Sequence, residues 1–527
     1  MEGITGVRKL SLLFFAMMVA CELYAGEVEH ISSFGISTAS FQTSVQEHVL
    51  LIQHCRDTGS AWVRGKIAWD EVEAQKGSLA VPSNVLQNVE NTAHAGLKTV
   101  VVLGCRNHLY EGGEFPASEA AVDAFARYVE FVTKTFKDSV EYWEVSDEPE
   151  SPDAAVSGSD PKGYVSLLRA AYRSCKKENP KCKVIGVCGS PADLAFGEAI
   201  LKAGAGKFMD VLSVHIRPPA SASDISNLRK QIISLRSLMD KEGMKGKPIW
   251  VSEMGFSRDA SEIPSNTQAS LMVRTYIEML SCGVEVVFCR NWGDGKEKTN
   301  AVKISALTRE DDSTKALRAV YKTMTEAIGG AKYDRSVWLG ENIRAYIFKK
   351  DKTEVTAMWC NEGVSTVTFV GEDKIRIIGG VGGRDITLTP VNGTAALTLT
   401  ELPCCVIRET EMHPLNVLPV GAYQFFPPQA TITPGETMSV GLQVVNGGRD
   451  AVNLKVRFLS EQVQPAEQMV RLEPESKSLL TAKASIPTSC QDTFLIPAEV
   501  WSEDKLVAQL AMLVRVVPVG TNNSVRW

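Results

Sequence analysis

Three absences narrow the field. No Cys-x-x-Cys spacing recurs among the twelve cysteines, so neither a zinc site nor an iron–sulfur cluster is signalled. Positive charge is neither in excess nor concentrated. The 56 Lys and Arg stand against 62 Asp and Glu, a formal net charge of −6, which argues against phosphate-backbone recognition as the main activity. The glycine pairs Gly112-Gly113 and Gly379-Gly380 lack the spacing and the strand-to-helix setting of a nucleotide-binding loop. No metal, organic cofactor or nucleic-acid partner is therefore expected.

Long apolar runs are also scarce. The one at the N-terminus, Leu10 to Ala20, follows Arg8 and Lys9 and precedes Leu23-Tyr24-Ala25 before Gly26. It is short for a membrane span and has the layout of a secretory signal over residues 1–25. The mature chain is then exported, secreted or periplasmic. A lipoprotein anchored through Cys21 is the weaker reading, because Met18 suits that motif poorly. The remaining cysteines are scattered. Cys105, Cys188 and Cys289 fall in apparent strands, where a buried thiol acts as a small hydrophobe. Cys360 and either Cys404 or Cys405 are placed so that they can pair, which the sequence leaves open.

What is present is an ordinary globular composition, 44% hydrophobic and 22% charged. A chain of 527 residues calls for three units, or two when one is a barrel. From Ile31 to about Ala327 a short apolar run alternates with a longer helical stretch. The runs are Ser33–Ile36, Trp62–Lys66, Thr99–Leu103, Tyr142–Val145, Val184–Val187, Val211–Val214, Ile249–Ser252 and Val286–Cys289. Eight such strands, continuous rather than alternating in hydrophobicity, fit a closed parallel (β/α)8 barrel over residues 26–329. Ala120, Phe125, Tyr128, Val129 and Val132 line one face of a helix after Pro116, Tyr164 to Tyr172 do so after Pro161, and Gln268–Leu280 forms another.

After Gly330 short segments between turns, such as Ile343–Lys349, Glu354–Trp359, Ser365–Val370, Lys374–Ile378 and Ala395–Leu399, predict a small antiparallel β-sandwich over 330–410. Residues 411–527 comprise a Pro-rich, stiff linker and an immunoglobulin-like sandwich from about Tyr423 to Val517. That sandwich has no clear aromatic strip.

In such a barrel chemistry sits where the C-terminal ends of the strands meet their loops. The fourth run leads to Glu148 and the seventh to Glu253, 105 residues further on (148 to 253), or three βα units. Acetal hydrolysis needs such a pair: a protonated carboxyl to donate to the leaving oxygen and an ionised one to attack the anomeric carbon. Either glutamate alone is more often an exposed loop carboxylate, and their matched placement is what raises the pair above that reading.

The surroundings resemble the clan of retaining glycoside hydrolases on a (β/α)8 barrel, and within it the family 39-like group of β-xylosidases and exopolysaccharide hydrolases. The resemblance rests on Trp143-Glu144-Val145-Ser146-Asp147-Glu148-Pro149 and Ser252-Glu253-Met254-Gly255. It extends to Trp62-Val63-Arg64 with Trp69, to Leu109 through Gly113, and to Asp210 through His215. It covers residues 30 to 325 and implies Glu148 as acid/base and Glu253 as nucleophile on a carbohydrate substrate. One departure has consequences. The clan usually has Asn before the acid/base, contacting the sugar 2-hydroxyl, where this chain has Asp147. An ionised Asp accepts but cannot donate, and its charge raises the neighbouring Glu's pKa. A hydrogen-bond-donating 2-substituent, an acidic pH optimum and weakened catalysis are all compatible with it.

The supporting candidates carry two readings each. Arg64 either orients Glu253 or is a structural salt-bridge partner. His215 is a satisfied core histidine or contacts the nucleophile region or sugar. Trp292 is a flat floor for a pyranose or a cap on the barrel core. Asn107, His108 and Tyr110 can hydrogen-bond hydroxyls, with Tyr110 favoured by the resemblance. Arg217, Arg290 and Asp294 are weaker, although a substrate bearing a carboxylate or sulfate would single out Arg217 and Arg290. The competing function is a non-catalytic carbohydrate-binding protein on a degenerate glycosidase barrel. Sugar identity, endo or exo action and oligomeric state are not legible.

Overall fold

A parallel strand covered by helices on one side and packed side chains on the other reads as an unbroken apolar run, and the eight runs in the first half of the chain do become strands. In the computed structural model, which describes residues 32–146, 160–187, 189–190, 194–216, 220–255, 265–290, 312–409, 416–419, 421–490 and 493–517, they are β1 (Phe34–Ser37), β2 (Trp62–Ile67), β3 (Lys98–Leu103), β4 (Tyr142–Val145), β5 (Lys183–Val187), β6 (Val211–Ile216), β7 (Ile249–Met254) and β8 (Val284–Arg290). They pair in sequence order, and β8 closes on β1 as a parallel neighbour. β6 and β7 each run two residues further than the sequence suggests, which brings His215 and Glu253 inside strands. The proposed signal segment with Cys21 lies outside the described residues.

The helices start where side-chain oxygens meet orphan amides. Ser118 caps Glu119–Thr135 by accepting from the Ala121 amide at 3.3 Å. Asp160 caps Pro161–Glu178, accepting from the Lys162 and Gly163 amides at 3.0 and 3.1 Å. Ala120, expected on the buried face, is exposed, and Ala121 and Ala124 take its place beside Phe125 and Tyr128. The N-terminal half of the barrel interior is filled by rings. Trp62 lies 5.1 Å from both Tyr142 and Trp250, and Trp250 lies 6.2 Å from Phe288, centroid to centroid. This floor closes the N-terminal end of the barrel.

The β region begins with a six-stranded antiparallel sheet that includes Ile343–Lys350, Thr353–Cys360 and Cys404–Glu409. Its strands alternate between two cores. Tyr346, Phe348, Val355, Ala357, Trp359 and Cys405 join the barrel's hydrophobic core, whereas Ala345, Met358, Cys404 and Val406 pack with Val367, Phe369 and Leu397 of a second sheet. Buried Arg274, on the barrel helix Ser265–Ser281, donates to the carbonyls of Cys360, Asn361 and Glu401 and so staples the sheet to the barrel. Cys360, Cys404 and Cys405 are free thiols; the last two lie within a strand, one on each of its faces.

The second sheet has eight strands and runs across the boundary expected near residue 410. Thr394–Leu399 pairs in parallel with Lys505–Val516, Ala396 opposite Ala508 and Leu397 opposite Gln509. Its far half packs against a four-stranded sheet around Leu442, Val444, Leu454, Val500 and Leu510, which forms the C-terminal sandwich. The two β regions, expected as separate domains, are thus joined by backbone hydrogen bonding between strands more than a hundred residues apart, a pairing no local pattern announces. A chain ending at Glu409 loses Lys505–Val516 and exposes an unpaired edge at Ala396 and Leu397. It is expected to aggregate on size-exclusion chromatography; a soluble monomer with the full-length melting temperature would contradict the shared sheet.

Candidate active site

Side-chain alternation along each strand sets the site one layer above the aromatic floor. Trp62 points inward, so Arg64 does too; Tyr142 is followed in the same way by Glu144, Val211 by Ser213 and His215, and Trp250 by Ser252. Arg64, 2% exposed, is the hub. Its Nε and Nη2 donate to Glu144 Oε2 and Oε1 at 2.7 and 3.1 Å. Nη1 donates to Ser37 Oγ at 2.9 Å and to Glu253 Oε1 at 2.7 Å. The guanidinium therefore grips one carboxylate in bidentate fashion and presents the remaining nitrogen to a second.

Glu144 is fully buried and is held ionised by its neighbours. Ser252 and Ser213 hydroxyls donate to its Oε1 at 3.0 and 3.4 Å, and His215 Nε2 lies 3.8 Å away. Burial pushes the Glu144 pKa up, but the Arg64 charge, the nearby His215 and the Arg64 hydrogen bonds outweigh it and bring the group down to about 2.

Ser252 and Glu253 are adjacent in sequence yet both reach the barrel axis. A regular strand forbids this, and a β-bulge permits it. Val214 pairs with Val251, and the next pair is His215 with Glu253, so Ser252 is the extra residue. Against β8 the register likewise jumps from Val251–Val287 to Met254–Cys289. The second oxygen of Glu253, Oε2, meets Arg290 Nη1 at 3.3 Å. Ser146, the residue after β4, has φ +70°, a left-handed conformation uncommon for a side chain of this kind. Its amide donates to the Leu103 carbonyl at 3.2 Å. Such conformations cluster at functional sites, and Ser146 directly precedes Asp147 and Glu148 in sequence.

Of the residues singled out from sequence, the structure brings Arg64, Glu253, Arg290 and His215 together. Asp147, Glu148 and Trp292 lie outside the described residues, as do Arg217 and Asp294. Tyr110 and Asn107 serve the loop after β3 instead of the cleft. The Tyr110 hydroxyl donates to Glu73 Oε1 at 2.7 Å and its ring stacks on Trp69 at 4.8 Å. Asn107 Nδ2 donates to the Glu73 carbonyl at 2.9 Å, and its Oδ1 accepts from the Leu109 amide at 2.9 Å. Sequence reasoning assigned no role to Glu144, Ser213, Ser252 or Ser37. The available signal for Glu144 was a charged side chain in an apolar strand, two residues from an inward aromatic. Among the described residues no group of three or more His, Cys, Asp or Glu is arranged to hold a metal ion.

No family model matches the chain, and none of the curated proteins compared with it does. Solved structures do. A family 39 glycoside hydrolase from the gut symbiont Bacteroides cellulosilyticus superposes with a TM-score of 0.60 at 21% identity, over 71% of this chain and 81% of that one. A monomeric β-xylosidase from Caulobacter crescentus gives 0.51 at 14% identity, over 74% of this chain and 98% of the other. What the chain shares with them is its fold.

The Arg64–Glu144 pair predicts a pH-dependent stability. Because the folded pKa of Glu144, about 2, lies below its ordinary 4.5, its contribution is complete above pH 4.5 and is lost as pH falls through 2. E144Q should therefore lower unfolding free energy near pH 7 by about 3 to 5 kcal/mol, the scale for breaking a buried pair, and the gap should narrow from pH 4.5 to 2 in urea titrations. A gap independent of pH would contradict the assignment.

Proposed function

We propose that the barrel is a retaining glycoside hydrolase acting on a β-linked oligo- or polysaccharide, with Glu253 as nucleophile and Glu148 as acid/base. The observation that carries the reading is the state of Glu253: a carboxylate 9% exposed, at the C-terminal end of β7, aimed by a buried arginine 2.7 Å away that is itself fixed by a second carboxylate. A loop glutamate with no task has no need of a dedicated bulge and a buried guanidinium. Similarity of fold to a family 39 glycoside hydrolase and a β-xylosidase supports it further.

The chemistry follows from the charges. Glu148, which follows β4 in the sequence, donates its proton to the leaving oxygen while the Glu253 carboxylate attacks the anomeric carbon. β4 and β7 are three strands apart in a ring of eight, which sets the ends of these strands on opposite sides of the mouth. Arg64, donating to Oε1 at 2.7 Å, keeps Glu253 correctly turned before attack. Once the glycosyl ester forms, Glu253 is neutral, and Arg64 keeps its partner in Glu144, so no buried cation is stranded. Loss of the negative charge lowers the pKa of the opposing acid and readies it as the base for water.

The test is a panel of chromogenic and natural glycans with product NMR. Retention of anomeric configuration is expected, and E253A should reduce turnover about a thousandfold or more. Azide should restore turnover of an activated glycoside by E253A, giving a glycosyl azide of inverted configuration. Undiminished hydrolysis by E253A would contradict the reading. Glycan binding by the unaltered protein without turnover would favour the carbohydrate-binding alternative.

A further inference from the structure

The strand Phe494–Ser502 has two unlike faces. Ala498 and Val500 enter the core of the C-terminal sandwich, so by alternation Glu499 and Trp501 point the other way. There Trp501 packs against the core that holds Ile386 and Leu506. On the same side lies a cavity of about 460 Å3 whose walls come from both β regions and include Trp501, Arg384, Thr387, Asp504 and Lys505. Small-ligand sites span ~300 to 1,000 Å3. We propose that this cavity binds a segment of neutral polysaccharide, with the Trp501 ring against a sugar face. The site belongs to the β region and stands apart from the glycosidase reading of the barrel.

A charge held inside the protein builds the site. The Glu499 side chain is 3% exposed, and one of its oxygens accepts from Trp501 Nε1 at 3.0 Å while the other meets Arg384 Nη1 at 2.8 Å; Arg384 itself is 51% exposed. Burying a carboxylate is unfavourable unless it is paired. Here the pairing fixes the plane of an indole and the direction of a guanidinium beside a cavity. Fastening the loop that carries Arg384 does not require it. The Val381 amide already donates to buried Gln509 Oε1 at 2.8 Å, and the Gly379 amide to Asp385 Oδ1 at 3.3 Å. A ring and a donor that are already held in place lose little freedom when a ligand arrives.

The lining selects the ligand class. Its three cations (Lys374, Arg384, Lys505) and two carboxylates (Glu499, Asp504) nearly cancel, so a highly charged ligand meets little excess of opposite charge. Guanidinium and ammonium groups only donate, the Asp504 carboxylate only accepts, and the hydroxyls of Thr387 and Thr389 do both. That mixture matches a ligand dense in hydroxyls, each of which donates and accepts. The C–H face of a pyranose then covers the apolar indole, while its hydroxyls reach the polar rim.

The full chain is run in native gels containing xylan, mixed-linkage β-glucan or galactan, with polygalacturonate as an acidic probe, and dissociation constants are read from the retardation. At least one neutral polysaccharide should retard the unaltered protein. W501L keeps an apolar packing group but removes the ring, and should weaken the retardation about tenfold or more. T387E, a change at an exposed lining residue outside the core, should weaken it without lowering the melting temperature. Retardation unchanged in both variants, none by any neutral polysaccharide, or retardation by polygalacturonate alone overturns the proposal. Turnover of 4-nitrophenyl glycosides reads the barrel separately. Retardation that W501L and T387E weaken, without any turnover, supports this site and overturns the hydrolase; turnover without retardation does the reverse.

Discussion

A single arginine shared between two carboxylates organises the barrel mouth. Burying Arg64 alone would carry a severe desolvation penalty, and so would burying Glu144. Together they are tolerated because the contact is bidentate and because Ser37, Ser213 and Ser252 satisfy the remaining lone pairs and protons. Glu253 is the third member and the only one with access to the opening. It inherits a fixed orientation from a pair that never has to change charge. In this arrangement the groups that define geometry are separated from the group proposed to react.

The fold provides the layer in which this happens. Aromatic rings from β2, β4, β7 and β8 close the lower interior, so the polar layer rests on packed rings. The bulge in β7 then resolves a geometric conflict. Ser252 is needed on the inner face to donate to Glu144, and Glu253 is needed there to meet Arg64; an unbulged strand can supply one of them but not both. The same sequence stretch therefore serves the support and the candidate nucleophile.

The eight barrel strands were legible because burial on both faces writes itself into sequence as short apolar runs, accurate here to within two residues. Arg64 was legible as a partner of Glu253 because a charged residue at the end of an apolar strand has few alternatives to pairing. Glu144 was not, because it stood inside a motif whose attention falls on Glu148, and its inward face follows only from register with Tyr142. Tyr110 and Asn107 were in the right loop, but their polar groups turn to Glu73, a partner 37 and 34 residues away that no spacing rule selects. The sheet shared between the β regions was hidden for the same reason. Local turns mark strands, whereas the pairing of Leu397 with Gln509 is settled by tertiary packing.

The central claim, that Glu253 forms a bond to the sugar, has a direct test. The protein is treated with an activated 2-deoxy-2-fluoro glycoside of its best substrate, digested with protease and analysed by mass spectrometry. The fluorine slows both steps by disfavouring positive charge at the anomeric carbon, and the good leaving group lets the ester accumulate. The account predicts a single added fluorosugar on the peptide containing Glu253, with loss of activity in step with labelling. Labelling of another carboxylate, or rapid hydrolysis of the parent glycoside with inversion and no adduct, would contradict it.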